Sequence, residues 1–141
     1  MSTVEPGCRF CLDNSLMTSA PLFRNDSCFF LESADPVLPH GGMIIPFRHC
    51  ATPFDLTEQE WLDSFALLAR ARNFLQPAAP DGFTIGWNVG TAGGQTIGHS
   101  HLHIIARFAD EPFAGHGLRH HIKQPENRRP SSNRPNRSTA D

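Results

Sequence analysis

The chain predicts an α+β domain, a mostly antiparallel sheet with one long helix packed on a face of it. Three features carry that reading. The segment Thr57 to Gln76 has apolar residues at helical spacing. Two later segments, Phe83 to Val89 and His99 to Arg107, alternate apolar and polar residues in steps of two. A glycine-rich stretch, Gly90 to Gly98, joins them and makes them an antiparallel pair.

Composition bounds what such a domain can do. At 141 residues, with 39% hydrophobic and 18% charged, the chain is one globular domain with enough length to bury a core. The formal net charge of −2 provides no basic field for a nucleic-acid duplex, so that partner is excluded. Any phosphate bound here must be held largely by backbone N–H groups and histidines. Met1 to Phe10 has no basic region followed by an apolar stretch, and no apolar run approaches the ~20 residues of a spanning helix. A cytoplasmic protein without a membrane partner is expected. Its four cysteines, Cys8, Cys11, Cys28 and Cys50, are then not a disulfide framework.

The elements follow in order. Cys28 to Leu31 reads as a short apolar strand and Gly42 to Phe47 as a second, with prolines and glycines between Asp35 and Gly42 demanding a loop. Thr57 and Glu60 have the spacing of a capping box at the start of the helix. Trp61, Phe65, Leu68 and Leu75 line one of its faces, and Pro77 and Pro80 end it. In the next strand Phe83, Ile85, Trp87 and Val89 point one way and Thr84, Gly86 and Asn88 the other. The domain runs over residues 1–123. From Gln124 to Asp141 the composition turns polar, basic and proline-bearing, which reads as a solvated, disordered tail.

The informative segment is Gly94 to Ile105. Alternation puts His99, His101 and His103 on one face of a strand, ~6–7 Å apart, while Leu102 and Ile104 face the core. Three imidazoles in a row are poor packing material, so something uses them. One metal held by all three is one answer. The preceding Gly90 to Thr96 is another, because it offers close backbone approach, several N–H donors and polar side chains, a combination that suits phosphate. Cys8 and Cys11 have the spacing of zinc ligands but lack a second pair, and a redox pair or unligated thiols fit that spacing equally. The parallel strand–helix context of a thioredoxin-like motif is absent.

Asn88-Val89-Gly90, then Gly93 to Thr96, then His99-Ser100-His101-Leu102-His103-Ile104-Ile105, resembles the signature of the histidine-triad (HIT) family, of bacterial type. Ile45-Pro46-Phe47-Arg48-His49 is similar to that family's strand-end motif, and Cys8-Arg9-Phe10-Cys11 to the start of many members. The resemblance covers about Cys8 to Phe108.

It implies a HIT-like fold and a nucleotide hydrolase or transferase acting at the α-phosphate of purine nucleotide conjugates. Phosphoramidase and dinucleoside polyphosphate hydrolase are the activities it suggests. His101 is then the nucleophile that forms a nucleotidyl-histidine, with its second nitrogen held by a backbone carbonyl. Asn88, Gln95 and Thr96 contact the phosphate and the leaving-group oxygen, and His103 orients the site. The base is expected in an apolar cleft near Phe10, Phe29 and Leu31. The resemblance also completes a structural zinc site, Cys8, Cys11, His49 and His99, and implies a homodimer. Cys28 and Cys50 are ordinary buried thiols.

The chain departs from the pattern at two positions. Gly41 stands where related members carry a further active-site histidine, with His40 beside it. Ser33 stands where an acidic residue grips the ribose, with Glu32 and Asp35 nearby. These departures keep open a non-catalytic nucleotide-binding zinc module.

Overall fold

Five strands, β1 (Phe23–Arg24), β2 (Cys28–Glu32), β3 (Gly41–Pro46), β4 (Gly82–Trp87) and β5 (Leu102–Arg107), hydrogen-bond into one sheet in the computed structural model, which describes residues 4–130. The strand order is β1-β2-β3-β5-β4 and every pairing is antiparallel. Helix α1 (Glu58–Leu75) lies on one face, and a short helix α2 (Leu118–Ile122) follows β5. The α+β architecture read from the sequence is the one observed. Among the described residues no helix is long and apolar enough to cross a membrane.

The period-two pattern divides the side chains between two layers. Cys28, Phe30, Ile44, Leu102 and Ile104 point toward α1 and pack with Leu67, Ala71 and Leu75. On the opposite face Phe29, Leu31 and Ile45 pack with Phe10 from the N-terminal segment. The sheet therefore has a core on each side, and the second core supports the histidines.

Helix α1 starts where its capping residues dictate. Glu60 N–H donates to the Thr57 hydroxyl at 3.1 Å, and Thr57 N–H donates to the Glu60 carboxylate at 2.9 Å. The same carboxylate takes the Arg48 guanidinium at 2.7 Å, which ties the helix start to the chain leaving β3. Burial, the largest single influence, raises the Glu60 carboxyl, but the hydrogen bonds and charge of Arg48 together with the hydrogen bonds of Thr57 outweigh it and leave the group below its ordinary range. Thr57→Ala removes one half of the box and is expected to destabilise the fold by about 1 kcal/mol, read from denaturant unfolding with an unchanged slope.

The helix face expected from the sequence is corrected. The stripe turned to the sheet is Glu60, Ser64, Leu67, Ala71 and Leu75, whereas Trp61 and Phe65 are exposed. The rings of Phe23 and Phe30, stacked at 4.7 Å, already occupy much of the helix-facing layer. Small side chains at Ser64 and Ala71 let the helix approach closely, and its bulkiest residues turn outward. Of the expected tail, residues 125–130 are exposed and begin with a single 3-10 turn, Pro125–Asn127. The rest of that segment, from 131 on, lies outside the described residues.

Candidate active site and metal centre

The histidine segment splits into two parts. His103 belongs to β5, opposite Met43 on β3 and Gly86 on β4. His99 and His101 precede the ladder, whose last pair on this side is Ile44 with Leu102. There Ser100 N–H donates to the Cys50 carbonyl at 2.7 Å, so the irregular segment that follows β3 holds this stretch.

Each ring is fixed by a carbonyl, and a carbonyl only accepts, so the tautomers follow. His101 Nδ1–H donates to the His99 carbonyl at 2.7 Å, which leaves the lone pair on Nε2. His99 does the reverse: its Nε2–H donates to the Pro46 carbonyl at 2.7 Å, and the Nδ1 lone pair faces the two cysteines. Nδ1 of His99 lies 3.4 Å from Cys8 Sγ and 3.6 Å from Cys11 Sγ, and His49 Nδ1 lies 3.5 Å from Cys11 Sγ. The four ligand atoms are all within 4.8 Å of one another and could hold a metal ion. One metal shared by His99, His101 and His103 is thereby ruled against, since the first ring turns to the cysteines.

Burial pushes the His99 imidazole down to about 4, helped by His49 and His101 nearby, so it stays neutral as a ligand must. Burial likewise pushes the Cys11 thiol up. The His103 imidazole is lowered by burial and by His101, and its Nε2 is buried with no hydrogen-bond partner.

Phe10 connects the two centres. It is 1% exposed, and its ring meets that of His101 edge-on at 5.1 Å and that of His99 at 6.1 Å. Phe29 is wholly buried. Both lie beneath the site rather than on the wall where the sequence reading put them, because the second core needs their rings. The cleft itself, about 370 Å³, is walled by Arg9, Leu31, Ser33, Gly41, Met43 and His103, among others. His101 is not among its lining residues; it lies two positions before His103 in the chain and keeps 5% of its surface exposed.

Asn88 directly follows Trp87, the last β4 residue in the ladder, as His101 directly precedes that residue's partner Leu102. Gln95 and Thr96 lie on the loop before the histidines. Gln95 is a brace: its Oε1 accepts Gly90 N–H at 2.9 Å, and its Nε2 donates to the carbonyls of Ala51 and Ile97. The N–H groups of Gly93, Gly94 and Gln95 bond within the loop as well. Gly90 and Gly94 have φ of +72° and +95°, so these glycines serve the loop's own turns. Thr96 is exposed.

His40 does not reach this site. Its carbonyl accepts Ala106 N–H, and its ring packs against Phe108. That is five residues along β5 from His101, ~17 Å. Gly41 is on the cleft wall, and a Cβ there would lie 2.7 Å from the Ile104 carbonyl oxygen. Ser33 is on the wall too, its hydroxyl accepting Asp35 N–H at 3.2 Å. Sequence reasoning overlooked Arg9, Met17 and Met43 as cleft residues. The signal for Met43 was its place in the strand read over Gly42 to Phe47, where successive side chains face opposite layers.

A family model described as the HIT domain matches residues 16–110. A HIT-like protein of Mycoplasma genitalium is 31% identical over 104 residues, 72% of this chain and 73% of its own length. A bis(5'-adenosyl)-triphosphatase of Dictyostelium discoideum is 33% identical over 86 residues, 60% of this chain and 58% of its own. Among solved structures, a HIT family protein from Bacillus anthracis superposes with a TM-score of 0.71 at 23% identity, covering 88% of this chain and 91% of that one, which fixes the fold.

Proposed function

The chain belongs to the HIT domain family, and from that premise we propose that it is a nucleotide hydrolase or transferase acting at the α-phosphate of purine nucleotide conjugates. The observation that carries the reading is the tautomer of His101. Its Nδ1–H is tied to the His99 carbonyl, so Nε2 presents a lone pair without any deprotonation step. Relatives with nucleotide-conjugate chemistry in their names support it, the Dictyostelium triphosphatase among them.

In the first step the Nε2 lone pair attacks the α-phosphorus and a P–N bond forms. The bond from phosphorus to the leaving oxygen or nitrogen breaks, and its electron pair departs with the leaving group, which takes a proton. In the second step water attacks the same phosphorus, the P–N bond breaks, and the nucleotide leaves with His101 restored. Asn88, Gln95 and Thr96 offer hydrogen bonds where negative charge develops. The hydrogen bonds Gln95 makes at rest fit a further role in holding the loop's shape. His103 orients the site, and the base and ribose occupy the cleft beside Ser33, above Phe10 and Phe29. Incubation with adenosine phosphoramidate and with diadenosine polyphosphates tests this, with release of AMP expected. Nucleotide binding without turnover would establish the non-catalytic module instead.

The metal in this reading is zinc, in a closed structural site of Cys8, Cys11, His49 and His99. Ideal tetrahedral zinc places sulfur and nitrogen ligands ~3.6 Å apart, and three of the four S···N separations here are 3.4, 3.5 and 3.6 Å, with all four ligand atoms within 4.8 Å of one another. Zinc supplies a clamp that fastens the N-terminal segment to the sheet. The Pro46 carbonyl orients His99 from behind.

The protein acts as a homodimer. Trp61, Leu62 and Phe65 on α1 are 44%, 60% and 71% exposed, and Ile85 on the edge strand β4 is 49% exposed. A second copy would cover this apolar surface and the open edge together. Sedimentation should give twice the chain mass, and Phe65→Glu should shift the protein to monomer. A wild-type monomer at micromolar concentration would rule the dimer out.

A further inference from the structure

Arg9 stands between the two cysteines of the metal centre and is exposed, yet it forms part of the wall of the nucleotide cleft. Its guanidinium makes no ion pair or hydrogen bond among the described residues; the paired arginines are elsewhere, Arg48 with Glu60 and Arg107 with Glu111. The backbone that carries it is firmly held. Phe10, the next residue, is 1% exposed, and the Asn14 side-chain amide donates to the Cys8 carbonyl at 2.9 Å. A cation with five N–H donors and no partner among the described residues, mounted on an anchored turn at the rim of a cleft that also holds Glu32 and Asp35, is a recognition element awaiting acceptors.

The same rim supplies groups of the opposite character. The Asp35 carboxylate lies on the cleft and donates nothing; Oδ1 accepts Val37 N–H at 2.8 Å and Oδ2 is left over. Ser19 lines the cleft as well. Of the two purines, guanine alone matches this set. Its O6 and N7 are adjacent acceptors that take both prongs of a guanidinium, and its N1–H and N2–H groups are donors for a carboxylate or a hydroxyl. Adenine offers N7 flanked by an amino donor, which opposes the second prong.

We propose that Arg9 makes the cleft selective for guanine, so that guanosine conjugates are preferred over adenosine conjugates. The inference deepens the functional reading above and rests on the base occupying this cleft. A bidentate arginine–guanine pair at an exposed rim is expected to give about tenfold discrimination.

The test is equilibrium titration of the full, metal-loaded chain with GMP and with AMP, for wild type, Arg9→Ala and Arg9→Lys. Turnover of guanosine and adenosine phosphoramidates is measured alongside, and metal content is measured on every sample. Wild type should bind GMP about tenfold more tightly than AMP. The ratio should collapse to about one in Arg9→Ala and be only partly kept in Arg9→Lys, whose ammonium is a point charge without the planar fork. Equal binding of the two nucleotides by wild type would overturn the proposal. So would a guanine preference that survives Arg9→Ala, or a loss of both affinities in that variant with the ratio intact. Binding of neither nucleotide, with neither conjugate turned over, would instead overturn the functional reading itself.

Discussion

Replacing His101 with alanine should lower kcat on adenosine phosphoramidate by at least about 1,000-fold, while nucleotide binding changes far less. The nucleophile forms the bond that divides the reaction into two steps, and no neighbour is placed to substitute for it. His99 has its Nδ1 turned to Cys8 and Cys11 and its Nε2 bonded to Pro46. His103 sits one pleat further along β5 with its Nε2 buried. Because His101 is 5% exposed, its removal leaves a small cavity, so unfolding and metal content must be compared with wild type. The complementary measurement is rapid quenching of wild type with a labelled conjugate. Label should stay on the protein through base and be lost in acid, as a P–N bond requires, and none should attach to His101→Ala. A variant that keeps normal turnover would show that another group attacks phosphorus. A wild type that binds nucleotide but never turns over would establish the non-catalytic reading.

Much of this site was legible because strand periodicity is a strong constraint. Alternation alone told His101 and His103 from Leu102 and Ile104, and the structure keeps them on opposite layers. The capping residues of α1 were equally plain, since Thr57 and Glu60 need only each other and the local backbone. What sequence could not give was whatever depends on chain segments meeting from a distance. Trp61 and Phe65 look like core by bulk, but which side of a helix faces the sheet depends on the space Phe23 and Phe30 leave. Phe10 and Phe29 were placed near the base, and their depth beneath the cleft is set by packing of the N-terminal segment against β2 and β3. Alternation puts His99 on one face with its two neighbours, and its separation from them was legible only through the family resemblance, because it rests on tertiary contacts. Before Leu102, where Cys50 takes the Ser100 amide, the segment is outside the ladder, and there one ring turns toward the cysteines.

Purified protein should contain about one zinc per chain, and Cys11→Ser should lose it and melt at least about 10 °C lower. The size of the effect follows from what the cluster joins. Cys8 and Cys11 lie in the N-terminal segment, His49 just beyond β3 and His99 just before β5, so one ion closes contacts between positions up to 91 residues apart in the chain. Without metal the Cys11 thiol, pushed up by burial, is neutral at pH 7, and zinc binding must displace its proton. Affinity should therefore fall as pH falls, and titration calorimetry in buffers of different ionisation enthalpy should report proton release on binding. The loss should reach catalysis as well, through Phe10. Its ring is held by the cysteine turn and meets His101 edge-on at 5.1 Å, so a loosened turn removes one wall of the nucleophile's pocket. Cys11→Ser should thus lower kcat in addition to stability, whereas Cys28→Ser, a buried thiol in the other core bonded only to Ser64, should retain its zinc. Full zinc occupancy and an unchanged melting temperature in Cys11→Ser would mean that these four side chains merely pack together.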